Sequence, residues 1–93
     1  MNFEWDENKS QSNKHKHGID FNRATELWQD AERIEIEIPY PIENRSVLIA
    51  KIDDKHWTAI FTKRSKGIRT ISVRRSRKKE VSIYEEKETG QYN

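Results

Sequence analysis

From Ile34 onward the apolar residues of this chain fall on every second position. Ile34, Ile36 and Ile38 alternate with Glu35 and Glu37, the pattern of a half-buried antiparallel strand. Pro39 and Pro41 end it. Ser46–Ile52 reads as a second strand, Asp53-Asp54 as a turn, His56–Lys63 as a third strand and Ile68–Arg74 as a fourth. Upstream the period is different. Phe21, Ala24, Leu27 and Trp28 come after the N-cap residue Asp20 at helical spacing. Asp6 is a second N-cap, for a helix over residues 7–17 that Gly18 closes in a left-handed conformation. That helix holds no apolar side chain, so at most its Lys stems lie along a core edge. Phe3-Glu4-Trp5 reads as a short strand or a hydrophobic anchor, and Ser76 as the cap of a last helix over residues 77–88. The expectation is an α+β fold: an antiparallel four-stranded sheet, two N-terminal helices and a C-terminal helix. Residues 1–93 form a single domain with a core of about 2–88 and a frayed tail at 89–93.

The last hairpin predicts a register. Ser65-Lys66-Gly67 suits a three-residue loop, a type I turn closed by a left-handed Gly. Arg64 then opposes Ile68, Phe61 opposes Ile71 and Ala59 opposes Val73. One face collects Trp57, Ala59, Phe61, Ile71 and Val73. The other is mostly polar, with His56, Thr58, Thr62, Thr70, Ser72 and Arg74 around Ile60. Arg69 and Arg74 fall on opposite faces.

Core material is lean, at 32% apolar against 37% charged residues. Nine aromatics carry much of the burial. There is no cysteine, which excludes disulfide frameworks, thiolate metal sites and Cys nucleophiles. No apolar run is long enough to cross a membrane and the N-terminus has no signal-peptide pattern. These features point to a soluble cytoplasmic protein with no membrane partner.

Charge is distributed unevenly. Residues 1–46 carry six Lys/Arg against ten Asp/Glu, and residues 47–93 twelve against six. Lys63 to Lys79 holds nine basic residues and no acidic one. Solubilising surfaces mix signs, so this run points to a polyanion. Lys63, Arg64, Lys66, Arg75, Lys78 and Lys79 are the candidate phosphate-binding residues, Arg forks matching phosphate oxygens in pairs. His15 and His17 point about 200° apart on a helix and cannot share a metal. No ligand spacing for a metal and no glycine-rich phosphate loop is present, so no metal or cofactor is expected. A catalyst of this size needs a substrate that brings its own nucleophile, as RNA does with its 2′-hydroxyl. The protein then supplies proton transfer and cations for the phosphorane charge. Arg69, Arg74, Arg75, Glu80 and Tyr84 are the right types for that. A non-catalytic nucleic-acid-binding module and a scaffold with a basic docking face fit the same residues.

Phe3-Glu4-Trp5-Asp6, Lys9, Asn13, Lys16-His17-Gly18-Ile19 and Phe21 match a pattern FEWD-x-x-K-x-x-x-N-x-x-K-H-G-[VI]-x-F at every fixed position. Arg69, Ile71-Ser72, Arg74-Arg75, Glu80 and Tyr84 match a second, R-x-I-S-x-R-[RK]-A-x-x-x-E-x-x-x-Y, with Ser76 in place of Ala. Together these resemble the BrnT toxin family over about residues 2–86. The all-polar segment 7–17 departs from relatives that carry Ala or Leu there. The resemblance implies a ribonuclease toxin of a type II toxin–antitoxin pair with a RelE-like fold. It implies neutralisation by a BrnA antitoxin, which carries the DNA-binding domain, so that DNA is met only through that partner. It also implies an RNA site around Arg69, Arg74, Glu80 and Tyr84, with His17, Glu80 and Tyr84 as open choices for general base and acid.

Overall fold

The computed structural model describes residues 1–89; the expected frayed tail therefore lies, from residue 90 on, outside the described residues. Strand β1 is Phe3–Glu4 and helix α1 is Glu7–His17. Helix α2, Phe21–Ala24, runs on as a 3₁₀ helix over Thr25–Gln29. Strands β2 (Ile34–Ile38), β3 (Arg45–Ile52), β4 (Lys55–Arg64) and β5 (Gly67–Arg75) come next, and helix α3 is Lys78–Thr89. The sheet has five strands in the order β1-β5-β4-β3-β2.

Two features correct the expected architecture. First, the sheet is mixed: β1 joins it parallel to β5, with Phe3 opposite Ile68 and Glu4 opposite Arg69. A two-residue strand has no period of its own, so its pairing is set by tertiary contact alone. Gly67 makes room for it, since a Cβ there would lie 2.1 Å from the Asn2 carbonyl oxygen. Second, the second N-terminal helix is a single α-turn that tightens into 3₁₀ geometry. It still delivers Phe21, Ala24, Leu27 and Trp28 to the core, all of them buried.

The helix starts obey the local chemistry. Asp6 Oδ1 accepts from the Asn8 and Lys9 N–H groups at 2.8 and 3.2 Å, and Asp20 Oδ1 accepts from Arg23 N–H at 2.7 Å. Gly18, at φ 84°, ends α1. The β3–β4 turn sets both Asp53 and Asp54 at positive φ, as a two-residue hairpin turn requires.

Helix α1 is not held by Lys stems. Its two buried residues are Ser10 and Asn13, and both work by hydrogen bonding. Ser10 Oγ accepts from Phe21 N–H at 2.9 Å. The Asn13 amide donates to the Ile19 and Val73 carbonyls at 2.8 and 2.9 Å and accepts from Val73 N–H at 3.1 Å. Against β5 it behaves as a strand residue would, exchanging both bonds with one backbone unit.

The β4–β5 register agrees with expectation in one half and departs in the other. Ala59 opposes Val73, but Phe61 opposes Thr70 and Arg64 opposes Gly67. The loop is two residues, Ser65 and Lys66, and Ile71 is an extra residue bulged out of β5. A shorter loop plus a bulge restores the far register that a three-residue loop would have given. The bulge also restores the parity of β5, so Arg69, Ser72 and Arg74 all partner one side of β4, through Thr62, Ile60 and Thr58. Arg69 and Arg74 thus share a face, contrary to the expected split.

The core lies on the opposite face. Leu48, Ala50 and Ile52 of β3, Trp57, Ala59 and Phe61 of β4, and Val73 of β5 pack against Ile19 and the 21–28 segment. Trp28 meets Phe3 and Phe61 edge-on at centroid distances of 5.0 and 5.1 Å. The other face is divided. Helix α3 covers the end bearing Thr58, Arg74 and His56. Beyond it a row of paired residues runs across the sheet, Ile36–Val47–Ile60–Ser72, and none of them is fully buried. The expected mostly polar face is apolar in this part.

Candidate functional site

Arg74 and Glu80 meet where β5 passes into α3. The guanidinium grips the carboxylate through two bonds of 2.8 Å, one to each oxygen. Glu80 Oε1 also accepts from Thr58 Oγ1 at 2.9 Å and from Arg77 N–H at 2.8 Å. The last bond reaches back from the third helical residue to the helix start, half of a capping box. Ser76, the expected cap, lies 2.8 Å from Thr58 Oγ1 and serves this network instead. Both charged partners are about one-fifth exposed. The Arg74 bonds, with the Arg77 N–H and Thr58, overcome burial and hold the Glu80 carboxyl down at about 2. Glu80 is thus an anchored carboxylate that also offsets the reversed charge of the helix start.

Tyr84 lies one turn beyond Glu80 and is buried. Its hydroxyl donates to Asp30 Oδ2 at 2.8 Å, and its ring stands edge-on to His56 with centroids 5.1 Å apart. Burial works to raise the Asp30 pKa, but N–H donors from Glu32 and Lys51 and the Tyr84 hydroxyl outweigh it and leave it lowered. The cavity of about 430 Å³ beside this pair is lined by Glu26, Asp30, Glu32 and Asp53, with Lys51 as its one cation. Four carboxylates against one ammonium make a wall that disfavours phosphate.

The other expected site residues fall into three places. Arg75, Lys78 and Lys79 flank the Arg74–Glu80 pair at the β5–α3 junction and are exposed, with Arg77 beside them. The Arg75 guanidinium lies over the Trp57 ring, 5.5 Å from its centroid. None of these four makes an ion pair with a described residue. Lys63, Arg64 and Lys66 sit at the far turn of the same hairpin, roughly 20 Å along β4 from Thr58 at the usual rise of a strand. Lys63 is paired with Glu35 and Arg64 with Glu43, and Arg69 on β5 with Glu4. His17 is exposed at the end of α1, lining a groove with Lys9, Asn13, Ile71 and Ser72. The structure therefore joins Arg74, Arg75, Glu80, Lys78 and Lys79, and keeps Arg69 and His17 apart from them. Sequence reasoning placed Thr58 on the polar face and Ser76 as a cap but did not join either to Glu80, because a hydroxyl carries no signal of a partner far along the chain. Glu80 three residues after Arg77 was the available one.

Among the described residues no three His, Asp or Glu side chains are grouped to hold a metal ion, and no helix is long and apolar enough to cross a membrane. No curated protein matches the chain. Over residues 5–80, however, the sequence matches the family model for the ribonuclease toxin BrnT of type II toxin–antitoxin systems. That stretch takes in the α1 caps, every strand after β1 with its turns, and the Arg74–Glu80 pair. The chain belongs to the BrnT family of ribonuclease toxins.

Proposed function

We propose that the protein is a metal-independent endoribonuclease that cleaves RNA by attack of the 2′-hydroxyl on the neighbouring phosphate, and that a BrnA-like antitoxin neutralises it. Family membership carries the ribonuclease reading. The β5–α3 junction supports its location. There Arg75, Arg77, Lys78 and Lys79 present charge to solvent around a carboxylate fixed in its ionised form. Arg74 is already committed to Glu80, so it positions the junction, and the exposed cations are the ones to meet phosphate. Charge developing on the phosphorane is met by these cations, of which Arg75 is held in place by the Trp57 ring and the His56 carbonyl. Arg69 and the 63–66 turn extend the basic track for flanking phosphates. Tyr84, held by Asp30, orients α3 over the sheet. His17 is left as a proton carrier only if the substrate spans the groove beside Ile71.

An acidic segment of the antitoxin would cover the same cations and block RNA directly. DNA would be met only through that antitoxin. The test is cleavage of purified total RNA with and without EDTA. Undiminished cleavage, leaving cyclic-phosphate ends, is the expected outcome. Activity lost to the chelator and restored by Mg²⁺ or Mn²⁺ would refute the mechanism, and RNA bound but left intact would favour the binding-module alternative. The variant Lys78→Glu, Lys79→Glu should weaken RNA binding and also slow association with the antitoxin, since both use one charged surface. Wild-type values for both in a folded variant would place the site elsewhere.

A further inference from the structure

The large apolar side chains left exposed among the described residues are Met1, Ile36, Ile38, Tyr40 and Ile42. All but Met1 occupy alternate positions of one segment, β2 and its continuation. Strand β2 pairs with β3 on one side and has no strand neighbour among the described residues on the other. The opposite margin of the sheet is protected, because β1 is two residues long and Asn13 occupies the backbone of Val73. An edge of this kind is usually blunted by charged side chains, lysine above all, by proline or by a bulge. Over Ile34–Ile38 there is no lysine, proline or bulge. Its only charges are Glu35 and Glu37, which deter a like-charged strand and leave the edge open to a basic one, and Pro39 and Pro41 interrupt only the chain beyond the strand.

The two sides of β2 differ in chemistry. Ile36 continues the half-open apolar row through Val47 and Ile60. Glu35 and Glu37 lie on the other side. Lys63 holds Glu35 and also feels the charge of Glu37, so two carboxylates face one cation and the row keeps a net negative charge. Pairing with a second copy in antiparallel fashion would set these glutamates against their counterparts, which is unfavourable. A basic strand is not opposed in this way.

We infer that β2 is a docking edge for a strand of another protein, one that alternates β-branched apolar residues with Lys or Arg. The incoming strand extends the sheet by backbone hydrogen bonds, lays its apolar residues beside Ile36 and Ile38, and sets its cations against Glu35 and Glu37. This surface is separate from the basic junction, whose partner must be acidic, and it stands whether or not that junction cleaves RNA.

The probe is the capped peptide Lys-Val-Lys-Val-Lys-Val-Lys, with amide NMR and hydrogen exchange read on the whole protein. The expected result is shifts at Ile34–Ile38, with about tenfold slower exchange of the amides that point outward. The Glu-Val counterpart should leave these amides unchanged, and Glu35→Lys, Glu37→Lys should exchange the two preferences. Shifts confined to the acidic cavity of Glu26, Asp30, Glu32 and Asp53 would overturn the inference. So would absence of binding, or equal binding by a peptide N-methylated at every residue, which cannot add to a sheet.

Discussion

Asn13→Asp is expected to cost at least about 4 kcal/mol, a large part of the roughly 5–15 kcal/mol that holds a domain of this kind together. The amide of Asn13 commits both of its N–H groups to the Ile19 and Val73 carbonyls and accepts one bond, from Val73 N–H. Aspartate keeps the acceptor and replaces both donors with a charged oxygen facing two carbonyl oxygens in a buried site. Alanine removes the amide without adding a charge, and strands three backbone groups for about 3 kcal/mol. Urea unfolding of the two variants gives the order directly. An aspartate variant as stable as the alanine one would mean that water reaches this position and that α1 is held by something else.

The second large effect is at Glu80. Glu80→Ala is expected to lower stability by about 3 kcal/mol, because it leaves the Arg74 guanidinium partly buried and without its carboxylate. In a domain of this size that is a fall of more than about 10 °C in melting temperature. The same group gives a pH signature. Its folded pKa of about 2 lies below the ordinary 4.5. A depressed carboxylate stabilises the fold above its unfolded pKa and loses that contribution as pH falls through the folded one. The wild type should therefore lose up to about 3 kcal/mol between about pH 5 and pH 2, and Glu80→Gln should lose much less over that window. Parallel acid-unfolding curves for the two proteins would show that other carboxylates govern the transition.

Local chemistry was legible in the sequence wherever a residue acts on its own neighbours. Asp6, Asp20, Gly18 and the Asp53-Asp54 turn are read from one or two positions, and they bound the elements correctly. The alternation of β4 placed Trp57, Ala59 and Phe61 in the core, but Thr58 and Thr62 on its other face are buried as well. Reading stopped where one residue answers another far along the chain. Nothing near Phe3 announces Ile68, and nothing near Asn13 announces Val73. The Ile71 bulge defeated the register because two loop lengths give the same far pairing, and only the near half tells them apart. At the junction, residue types were right while their states were not legible. Arg74 reads as a free cation and is instead bonded to Glu80 through both terminal nitrogens. Tyr84 reads as a candidate for proton transfer, and its hydroxyl is buried in a bond to Asp30.

The pairing of Phe3 with Ile68, together with the grip of Asn13 on Val73, also sets an order of events during synthesis. Both ties fasten an early segment to β5, the last of the described strands in chain order. Until β5 has left the ribosome, α1 has its caps, its own backbone bonds and the short-range bonds of Ser10 to Phe21 and Asn13 to Ile19, too little to hold an eleven-residue helix without an apolar face. The β3–β4 hairpin, built from neighbours, needs no such wait. The hairpin is therefore expected to form ahead of the acidic segment upstream of it. That segment closes over the sheet only once β5, in the basic half, has been made.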